Sequence, residues 1–472
     1  MSTTDIPTIG HKSADDFDLV VIGSGPAGQK GAIAAAKLHK RVAIIDRNEM
    51  IGGCSLHLGT IPSKTFREAI LYLSGIRQRS FYGASYTVKD TIVAADLVSR
   101  VRMVLARETE VIRHQLHRNG VVTIDGTARF IDPHTVEVES SSGVRRIHGA
   151  HILIACGTRP AENPAIPTDG RRIFNSDQLL ELDEIPHELI VVGGGVVGLE
   201  YASMFAALNT RVTLIDQRPT LLDFADREII EALSYHLRSQ GVTFRLGEEV
   251  SSVITIPDGR VEARLESGKI VHADSLLYAV GRQANTDLLS LETTGVRVDP
   301  RGRIAVNTQY QTEVPHIYAA GDVVGFPALA ASSMEQGRLA SAHMFGTPGM
   351  LVADHMPYGI YTIPEISMVG QCEQTLTARK IRYEVGISKF CELAKGQMIG
   401  DDIGLLKLLF DPESHRLLGV HVIGDSATEI VHIGQAVLAL GGTIDYFRDA
   451  MFNYPTLAEA YKVAALNGLN KL

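Results

Sequence analysis

Two short glycine-rich segments carry the residue types and spacing that would bind phosphate and ribose groups. They are Gly23–Gly28, with the sequence GSGPAG, and Gly193–Gly198, with the sequence GGGVVG. In both copies an aspartate, Asp46 or Asp216, lies 23 positions after the first glycine. In such a segment the first glycine forms a tight turn, the second lets the backbone approach a pyrophosphate, and the third lets a helix pack close to a strand. The amino end of that helix attracts phosphates, and the aspartate accepts hydrogen bonds from ribose hydroxyls.

The elements predicted around both segments agree with this chemistry. Each segment follows an apolar run typical of a strand and precedes an Ala-rich or apolar stretch typical of a helix, and a second strand then ends at the aspartate. These strands and helices are predicted at 17–22, 29–38, 41–45, 189–192, 199–207 and 211–215. The alternative is that the glycines only form tight turns in α/β units. Two copies in the same context favour two dinucleotide-binding sites.

Length and composition bound the class of protein. The chain has 472 residues, which suggests about three domains, and its 45% hydrophobic and 21% charged residues are typical of globular proteins. The net charge of −9 argues against nucleic acid or an anionic membrane as a partner, because both attract basic surfaces. No apolar run reaches the ~18 residues of a membrane span.

The cysteines and the amino terminus favour a cytoplasmic protein. Cys54, Cys156, Cys372 and Cys391 show no C-x-x-C spacing, so neither a metal site nor a disulfide framework is expected. So few cysteines in a long chain fit a reducing cytosol. The polar, acidic residues 1–18 lack the basic and apolar regions of a signal peptide.

Further motifs give the chain a resemblance to the flavoprotein disulfide reductases, such as glutathione reductase and lipoamide dehydrogenase. Beside the glycine segments, the matching stretches are Gly52-Gly53, Ile61–Lys64, Gly281-Arg282, Ala320–Asp322 and Pro455-Thr456. The resemblance runs from about residue 18 to the carboxyl terminus. It implies an α/β fold with two Rossmann-like dinucleotide-binding domains and a C-terminal α+β domain that forms a homodimer or a larger oligomer.

The resemblance also implies domain bounds and cofactors. A flexible arm at 1–16 would precede a discontinuous FAD-binding domain at 17–160 and 282–347. The NAD(P)-binding domain would occupy 161–281, and the dimerisation domain 348–472. FAD would be held without a covalent bond, one per subunit, and NADP(H) and NAD(H) would be substrates.

Three side chains receive roles from the resemblance. Lys64 would lie beside the flavin ring and stabilise negative charge there, with Glu200 as its partner, and these two are the predicted catalytic residues. Asp322, at the end of an apolar strand, would bind the ribityl chain of FAD. The alternatives are that Lys64 is a surface lysine and that Asp322 only marks a strand-to-helix turn.

The predicted cofactor-binding residues come from the glycine segments, from the stretch before Lys64 and from the ends of several strands. They are Gly23, Gly25, Pro26, Ala27, Gly28, Asp46, Arg47, Gly53, Cys54, Ser55, Thr60, Lys64, Thr127, Ala128, Ala155, Gly157, Gly193, Gly195, Val196, Val197, Gly198, Glu200, Asp216, Arg218, Gly281, Gly321 and Asp322. Asp216 would favour the free ribose diol of NAD. Arg218 could bind the 2′-phosphate of NADP, or it could be a plain surface arginine.

Two departures from the family pattern concern its thiol chemistry. The redox cysteines of the family, spaced C-x4-C before Ile61–Lys64, are replaced by Ser55 and Thr60, so no redox disulfide can form there. The family's His-Pro base is replaced as well, because Tyr454 precedes Pro455. A tyrosine with an ordinary pKa near ~10 is a poor proton carrier at neutral pH. Cys54 is either a reactive thiol near the flavin or a small packing residue.

The loss of thiol chemistry beside two retained nucleotide sites suggests a changed reaction. Gly59–Lys64, Tyr361–Ser367, Phe452–Thr456 and Ala464–Asn467 resemble the family members that exchange hydride between two nicotinamide nucleotides, although those carry a cysteine where this chain has Ser55. We therefore expect hydride transfer from NADPH to NAD+ through FAD by a ping-pong route. The alternatives are an NAD(P)H:quinone reductase and a non-enzymatic nucleotide-sensing protein.

Overall fold

The computed structural model describes residues 14–83, 85–347 and 355–472, which form two compact units. The first unit contains the described residues up to 61 together with 103–159 and 282–347. The second contains Pro62–Arg102, Pro160–Gly281 and the described residues from 355 onwards. Residues 1–13 of the expected amino-terminal arm lie outside the described residues, and Asp16, expected in that arm, is already the first residue of a strand.

The first unit is built on a seven-stranded sheet with the order β3-β2-β1-β6-β5-β4 and with β17 beside β6. The pairs that β1 makes with β2 and β6 are parallel, as are those of β2 with β3 and β6 with β17, whereas β4, β5 and β6 are antiparallel. The strands are β1 (Asp16–Ile22), β2 (Val42–Asp46), β3 (Val122–Asp125), β4 (Thr127–Phe130), β5 (Thr135–Ser140), β6 (Gly143–Ile154) and β17 (Ile317–Ala319).

Helix α1 packs against β1, β2 and β6 of this sheet and along α8, which contacts β17. Ala-rich sequence and a proline at its first position favour α1, because alanine is the best helix former and proline fits the first helical position. The helices are α1 (Pro26–Lys37), α2 (Gly53–His57), α5 (Ala94–Arg118) and α8 (Ala330–Met344). Short strands β7 (Thr158–Pro160) and β16 (Arg282–Ala284) pair with each other.

The core of the first unit has two layers, because side chains of a strand alternate between faces. Leu19 and Val21 of β1 join the cluster that contains Ala32 of α1 and Ala340 of α8. Val20 and Ile22 face the opposite cluster. Both faces of the central strands are thus buried, which explains why the strand before the first glycine segment is an unbroken apolar run.

The second unit contains three sheets. A parallel sheet has the order β11-β10-β9-β15-β8, an antiparallel ribbon β12-β13-β14, and an antiparallel sheet β18-β19-β22-β21-β20. The first two consist of β8 (Ile173–Asn175), β9 (Glu188–Val192), β10 (Arg211–Asp216), β11 (Thr243–Leu246), β12 (Val250–Thr255), β13 (Val261–Leu265), β14 (Ile270–Ala273) and β15 (Ser275–Tyr278). The third consists of β18 (Tyr358–Ile360), β19 (Glu365–Gly370), β20 (Glu384–Lys389), β21 (Leu405–Phe410) and β22 (Leu417–Gly424).

Helices cover these sheets, and α6 is the most buried of those that begin at a glycine segment. From Gly198 to Ala207 every residue of α6 is buried, Glu200 included. The remaining helices are α3 (Thr60–Ser74), α4 (Arg79–Tyr82), α6 (Val196–Ala207), α7 (Arg227–Ser239), α9 (Glu373–Ala378), α10 (Ala394–Ile399), α11 (Ala427–Ala439), α12 (Asp445–Asp449) and α13 (Glu459–Leu469). None of the helices in the described part of the chain has the length and apolar character of a membrane-spanning segment.

A buried lysine connects the start of α7 to the C-terminal sheet of the second unit. The ammonium of Lys407, on β21, contacts Asp226 and Glu228 at 2.9 Å each and also contacts Glu373. Burial would lower the pKa of Lys407, but the three carboxylates outweigh it and raise the pKa. The ammonium of Lys407 therefore lies among these three acids and neutralises part of their negative charge.

Candidate functional site

The first glycine segment forms the predicted turn between β1 and α1. Gly23 has a φ of 103°, a left-handed conformation that favours glycine. At Gly28 an added Cβ would lie 1.9 Å from the carbonyl oxygen of Gly23, so only glycine lets α1 start this close to the strand. At Gly25, by contrast, a Cβ would meet no described atom within 4 Å. The turn therefore packs tightly against the protein at its first and third glycines and leaves space beside the middle glycine.

Asp46 stands at the end of β2 and holds this turn. Its Oδ2 accepts hydrogen bonds from the backbone N–H and the hydroxyl of Ser24, each at 2.7 Å, and its Oδ1 accepts the N–H of Arg47 at 2.9 Å. Burial raises the pKa of Asp46 above its ordinary value, although these hydrogen bonds oppose the rise. Asp46, at the end of β2, is thus connected through Ser24 to the turn that follows β1.

Three other segments of the first unit surround the same turn. A Cβ on Gly53, at the start of α2, would lie 2.7 Å from the Cα of Gly25. A Cβ on Gly23 would lie 2.3 Å from the carbonyl oxygen of Ala155, and one on Gly321 would lie 3.1 Å from the Cβ of Ala27. The structure therefore brings together predicted residues that are up to 298 positions apart in the sequence, from 23 to 321.

Asp322 belongs to a small polar network. Its Oδ2 accepts a hydrogen bond from the hydroxyl of Thr158 at 3.2 Å. Arg282 donates to that same hydroxyl from Nε at 2.7 Å and to the Thr158 carbonyl from Nη2 at 2.8 Å. Nη2 of Arg282 also lies 3.3 Å from the Cys54 sulfur. One arginine thus links the segment after β17 to α2.

The cysteines take no part in a disulfide. All four are free, and Ser55 and Thr60, half-buried, stand at the positions where a redox pair would lie. Burial raises the pKa of the Cys156 thiol to about 12, so the nucleophilic thiolate is absent at neutral pH. With serine at position 55 and threonine at position 60, the described structure holds no redox disulfide in this stretch.

The remaining predicted residues of the first unit lie around the end of β2 or beyond β6. The N–H of Gly126 donates to the carbonyl of Asp46 at 3.1 Å, which places Thr127 and Ala128 next to that strand end. Thr127 is exposed, whereas Ala128 is part of the core, so its side chain can offer a ligand no contact. A Cβ on Gly157, whose φ is 65°, would meet no described atom within 4 Å.

These features fit a dinucleotide at the first turn. The amino end of α1 has no side-chain hydrogen bond at its cap and no acid in its first turn, so its N–H groups and positive end remain for a phosphate. The open space at Gly25 lets a ligand approach the backbone. Pro26 occupies the first helical position, where its missing N–H costs no helical hydrogen bond.

The second glycine segment repeats this geometry between β9 and α6. Gly193 has a φ of 109°, and a Cβ on Gly198 would lie 1.9 Å from the Gly193 carbonyl oxygen. A Cβ on Gly195 would again meet no described atom within 4 Å. Val196 and Val197, half-buried, form the first turn of α6. The second turn therefore also packs tightly at its first and third glycines and leaves space beside the middle glycine.

Asp216, at the end of β10, has a different environment from Asp46. It accepts the N–H of Gly194 at 2.5 Å and that of Arg218 at 2.7 Å. The guanidinium of Arg218 donates to it twice, from Nε at 3.0 Å and from Nη2 at 2.8 Å. Burial alone would raise the pKa of Asp216, but these hydrogen bonds outweigh it and lower the pKa.

Lys64 and Glu200 form the predicted pair. The ammonium of Lys64, on α3, lies 2.7 Å from Oε2 of Glu200, on α6. Oε1 of Glu200 accepts the N–H of Tyr361 at 2.8 Å, and the Lys64 ammonium lies 4.8 Å from the centre of the Tyr361 ring. The Glu200 side chain is 5% exposed and that of Lys64 25%, so a buried acid holds a cation that solvent can reach.

Several residues with structural roles at these sites were not among the predicted site residues. Ser24, Thr158, Arg282 and Tyr361 all make the contacts described above. Ser24 and Arg282 lie inside motifs that the sequence already shows, so their position gave a signal. Tyr361 opens the matching stretch Tyr361–Ser367, but nothing in the sequence points to Glu200, which is 161 positions away. Thr158 gave no signal, because its partner Asp322 is 164 positions away. Gly281, a predicted site residue, accepts the N–H of Ala161 at its carbonyl, at 3.2 Å.

The fold and the sites define a protein with two dinucleotide-type turns and no redox cysteine pair. Comparison with known proteins places it in a family. The sequence model of the pyridine nucleotide-disulphide oxidoreductases matches residues 17–337, and the model of the dimerisation domain of that family matches residues 356–465. The chain belongs to the pyridine nucleotide-disulphide oxidoreductase family. The predicted fold class is thereby confirmed.

Relatives and solved structures agree with this assignment. The soluble pyridine nucleotide transhydrogenase of Mycobacterium bovis (strain BCG / Pasteur 1173P2) is 54% identical over 97% of this chain and 98% of its own. That of Serratia proteamaculans (strain 568) is 46% identical over the same shares. The crystal structure of LpdA from Mycobacterium tuberculosis is similar, with a TM-score of 0.88 and 26% identity over 95% of this chain and 99% of that one. The HOCl-induced flavoprotein disulfide reductase RclA from Escherichia coli gives 0.84 and 28% over the same shares.

Proposed function

We propose that this protein transfers hydride between NADPH and NAD+ with FAD as its bound cofactor. The observation that carries the proposal is a combination: two dinucleotide-type turns and the Lys64–Glu200 pair are present, whereas Ser55 and Thr60 stand where a redox cysteine pair would lie. An acceptor other than a disulfide is then needed. The names of the two relatives, at 54% and 46% identity, support a second nicotinamide nucleotide as that acceptor.

The first unit supplies the FAD site in this proposal. The amino end of α1 binds the pyrophosphate over Gly25, Asp46 accepts ribose hydroxyls, and Asp322, oriented by Thr158, binds the ribityl chain. Domain bounds follow the same assignment, with FAD at 17–160 and 282–347, the nicotinamide nucleotide at 161–281, and the dimerisation domain at 348–472. When bound, FAD accepts a hydride from a reduced nicotinamide and gives one to an oxidised nicotinamide.

The second glycine turn binds the two nicotinamide nucleotides in succession. The amino end of α6 binds the pyrophosphate over Gly195, and Asp216 and Arg218 contact the adenosine ribose end. Glu200 fixes the Lys64 ammonium, whose positive charge favours electron density on the cofactor ring. Hydride transfer itself requires no general base, which agrees with Tyr454 at the place of the family histidine.

Self-association and cellular location complete the proposal. The match to a dimerisation domain supports a homodimer or a larger oligomer. Nucleic acid and membranes are not proposed as partners. Four free cysteines fit the reducing cytoplasm.

The test is an anaerobic two-step reaction. Purified holoenzyme is mixed with NADPH while the flavin absorbance at about 450 nm is recorded, and thionicotinamide adenine dinucleotide is then added as an NAD+ analogue with a distinct spectrum. We expect bleaching, then full recovery with one reduced analogue per flavin, and no change in titratable thiols. Steady-state rates should give the parallel double-reciprocal lines of a ping-pong reaction.

Other outcomes would change the assignment. Bleaching that recovers only with a quinone would contradict hydride exchange and assign a quinone reductase. A flavin that NADPH does not bleach would exclude both enzymes and favour nucleotide sensing. A matched control is the same sequence of additions with NADP+ in place of NADPH, which should leave the spectrum unbleached.

A further inference from the structure

The carboxylate of Asp216 has no acceptor capacity left while Arg218 stays in place. A carboxylate offers about four lone-pair sites. Two bonds to each oxygen of Asp216 fill these sites: the N–H and Nε of Arg218 on Oδ1, and the N–H of Gly194 and Nη2 of Arg218 on Oδ2. Ribose hydroxyls can therefore bind Asp216 only after the guanidinium has left it.

The guanidinium of Arg218, in the same position, keeps a free outer edge. Only Nε and Nη2 are used, and Nη1 has no hydrogen-bond partner among the described residues. The Arg218 side chain is 43% exposed, whereas that of Asp216 is 5% exposed. The cation covers the anion, so a phosphate approaching this point meets donors and positive charge before it meets the carboxylate.

We infer that the Asp216–Arg218 ion pair is a two-position specificity switch that lets one site accept both nucleotides. With the pair closed, the outer edge of Arg218 binds a 2′-phosphate and screens Asp216. With the pair open, Asp216 accepts the 2′- and 3′-hydroxyls of an unphosphorylated ribose, and Arg218 turns to solvent. The inference rests on the proposed function, in which NADP(H) and NAD(H) use the same turn.

The closed position is the one in the described structure, and this gives the switch a direction. NADP(H) meets a preformed site, whereas NAD(H) must first open the ion pair. Loss of the planar guanidinium of Arg218, with its paired N–H donors, should therefore weaken binding of NADP(H) and strengthen binding of NAD(H). Neither a surface arginine nor an arginine that serves the 2′-phosphate alone produces these opposite shifts.

The test measures binding of two half-nucleotides to the holoenzyme by calorimetry. The probes are 2′,5′-ADP and 5′-AMP, which differ only in the 2′-phosphate. For Arg218→Gln we expect 2′,5′-ADP to bind about 30-fold more weakly and 5′-AMP about 3-fold more tightly. Arg218→Lys keeps the charge but not the fork, so it should show both shifts in smaller size.

Asp216→Asn should shift the same two affinities the other way. Binding of 5′-AMP should weaken about 10-fold, and 2′,5′-ADP should bind as tightly as before or more tightly. The matched control is Arg211→Gln, which removes an arginine paired with Glu188 at the opposite end of the same strand. This control should change neither affinity.

The outcomes separate this inference from the proposed function. Shifts of both probes in the same direction, or of 2′,5′-ADP alone, would overturn the switch. Because half-nucleotide binding involves no hydride, opposite shifts would support the switch even if the anaerobic reaction failed. If hydride exchange is intact but the affinities for 2′,5′-ADP and 5′-AMP do not shift in opposite directions, the proposed function is supported and only the switch is contradicted.

Discussion

The two glycine turns have nearly the same backbone but opposite electrostatics at the aspartate. In both, the third glycine would clash with the first at 1.9 Å if it carried a Cβ, and the middle glycine faces open space. The first aspartate, Asp46, is held by a neutral serine, and burial raises its pKa. The second, Asp216, is buried as well, but an arginine outweighs the burial and lowers its pKa.

This difference shows how one motif can serve two kinds of binding. The Ser24 contacts keep Asp46 fixed and leave Oδ1 with one hydrogen bond among the described residues, which suits a cofactor that stays bound. The Arg218 guanidinium takes two of the four acceptor positions of Asp216, and backbone N–H groups take the other two. Because the guanidinium can move, this arrangement suits ligands that exchange. The helices after the turns differ too: α6 carries Glu200 where α1 carries Lys30.

The largest effect is expected for the Lys64–Glu200 pair, because only the helix after the second turn carries such a paired acid. Lys64→Met removes the cation that Glu200 holds at 2.7 Å. We expect NADPH-to-NAD+ exchange to fall about 100-fold, since loss of one electrostatic stabiliser costs roughly this much. Stopped-flow bleaching measures it, with flavin content as a check that FAD stays bound. Lys30→Met on α1 is the control, and an equal loss there would contradict the assigned difference between the helices.

Substitution of the third glycine should affect each unit separately. Gly28→Ala and Gly198→Ala both place a Cβ 1.9 Å from a backbone oxygen, so each should lower the free energy of unfolding by about 3 kcal/mol. Gly28→Ala should also reduce flavin content, whereas Gly198→Ala should reduce NADP+ binding. Gly195→Ala is the matched control, because its Cβ meets open space and should weaken NADP+ binding without changing the melting temperature. Equal flavin loss in both variants would refute separate roles.

The two aspartates should give stability opposite dependences on pH. The lowered pKa of Asp216 means that the folded protein favours its ionised form. The stability that this form contributes is complete above the ordinary pKa of 3.8 and is lost as the pH falls through the lowered pKa. The raised pKa of Asp46 means that stability falls as the pH rises from 3.8 through that pKa.

Melting curves without nicotinamide nucleotide test this opposition. Asp216→Asn should cost about 1 kcal/mol above pH ~5 and less at lower pH. For Asp46→Asn, the difference in the free energy of unfolding from the unsubstituted protein should change with pH in the opposite direction to that of Asp216→Asn. Two parallel profiles would show that the arginine does not set the contrast between the turns.

An effect of similar, small size is expected for Ser24, whose hydroxyl contacts Asp46 at the first turn as the Arg218 guanidinium contacts Asp216 at the second. Ser24→Ala removes the hydroxyl that donates to Asp46 and accepts the N–H of Gly52 at 3.0 Å, and it leaves the backbone bond to Asp46 in place. The free energy of unfolding should therefore fall by about 1 kcal/mol. Chemical denaturation of the holoenzyme measures the change. Ser24→Thr keeps the hydroxyl and should retain most of the free energy of unfolding that Ser24→Ala loses. If Ser24→Thr is as unstable as Ser24→Ala, the loss comes from packing and not from the hydrogen bond.

Much of both sites could be predicted from local sequence. The predicted strands and helices around the two turns lie within a few residues of the observed ones, such as α1 at Pro26–Lys37 and β10 at Arg211–Asp216. The spacing of 23 positions after the first glycine, together with the strand that each residue ends, predicts Asp46 and Asp216. The Lys64–Glu200 pair followed from the resemblance to a family, because its members are 136 positions apart and no local pattern joins them.

The sequence by itself determined that two β–α–β units exist and where the glycine turn of each lies, because a glycine turn, a helix start and a strand end are set by neighbouring residues. Only the tertiary structure decided what each aspartate contacts. Ser24 and Arg218 lie close to their aspartates in the folded chain, and whether a side chain turns toward a buried carboxylate or toward water depends on the space around it. The same holds for Lys407, whose burial among three acids from distant segments gives no periodic signal in the sequence.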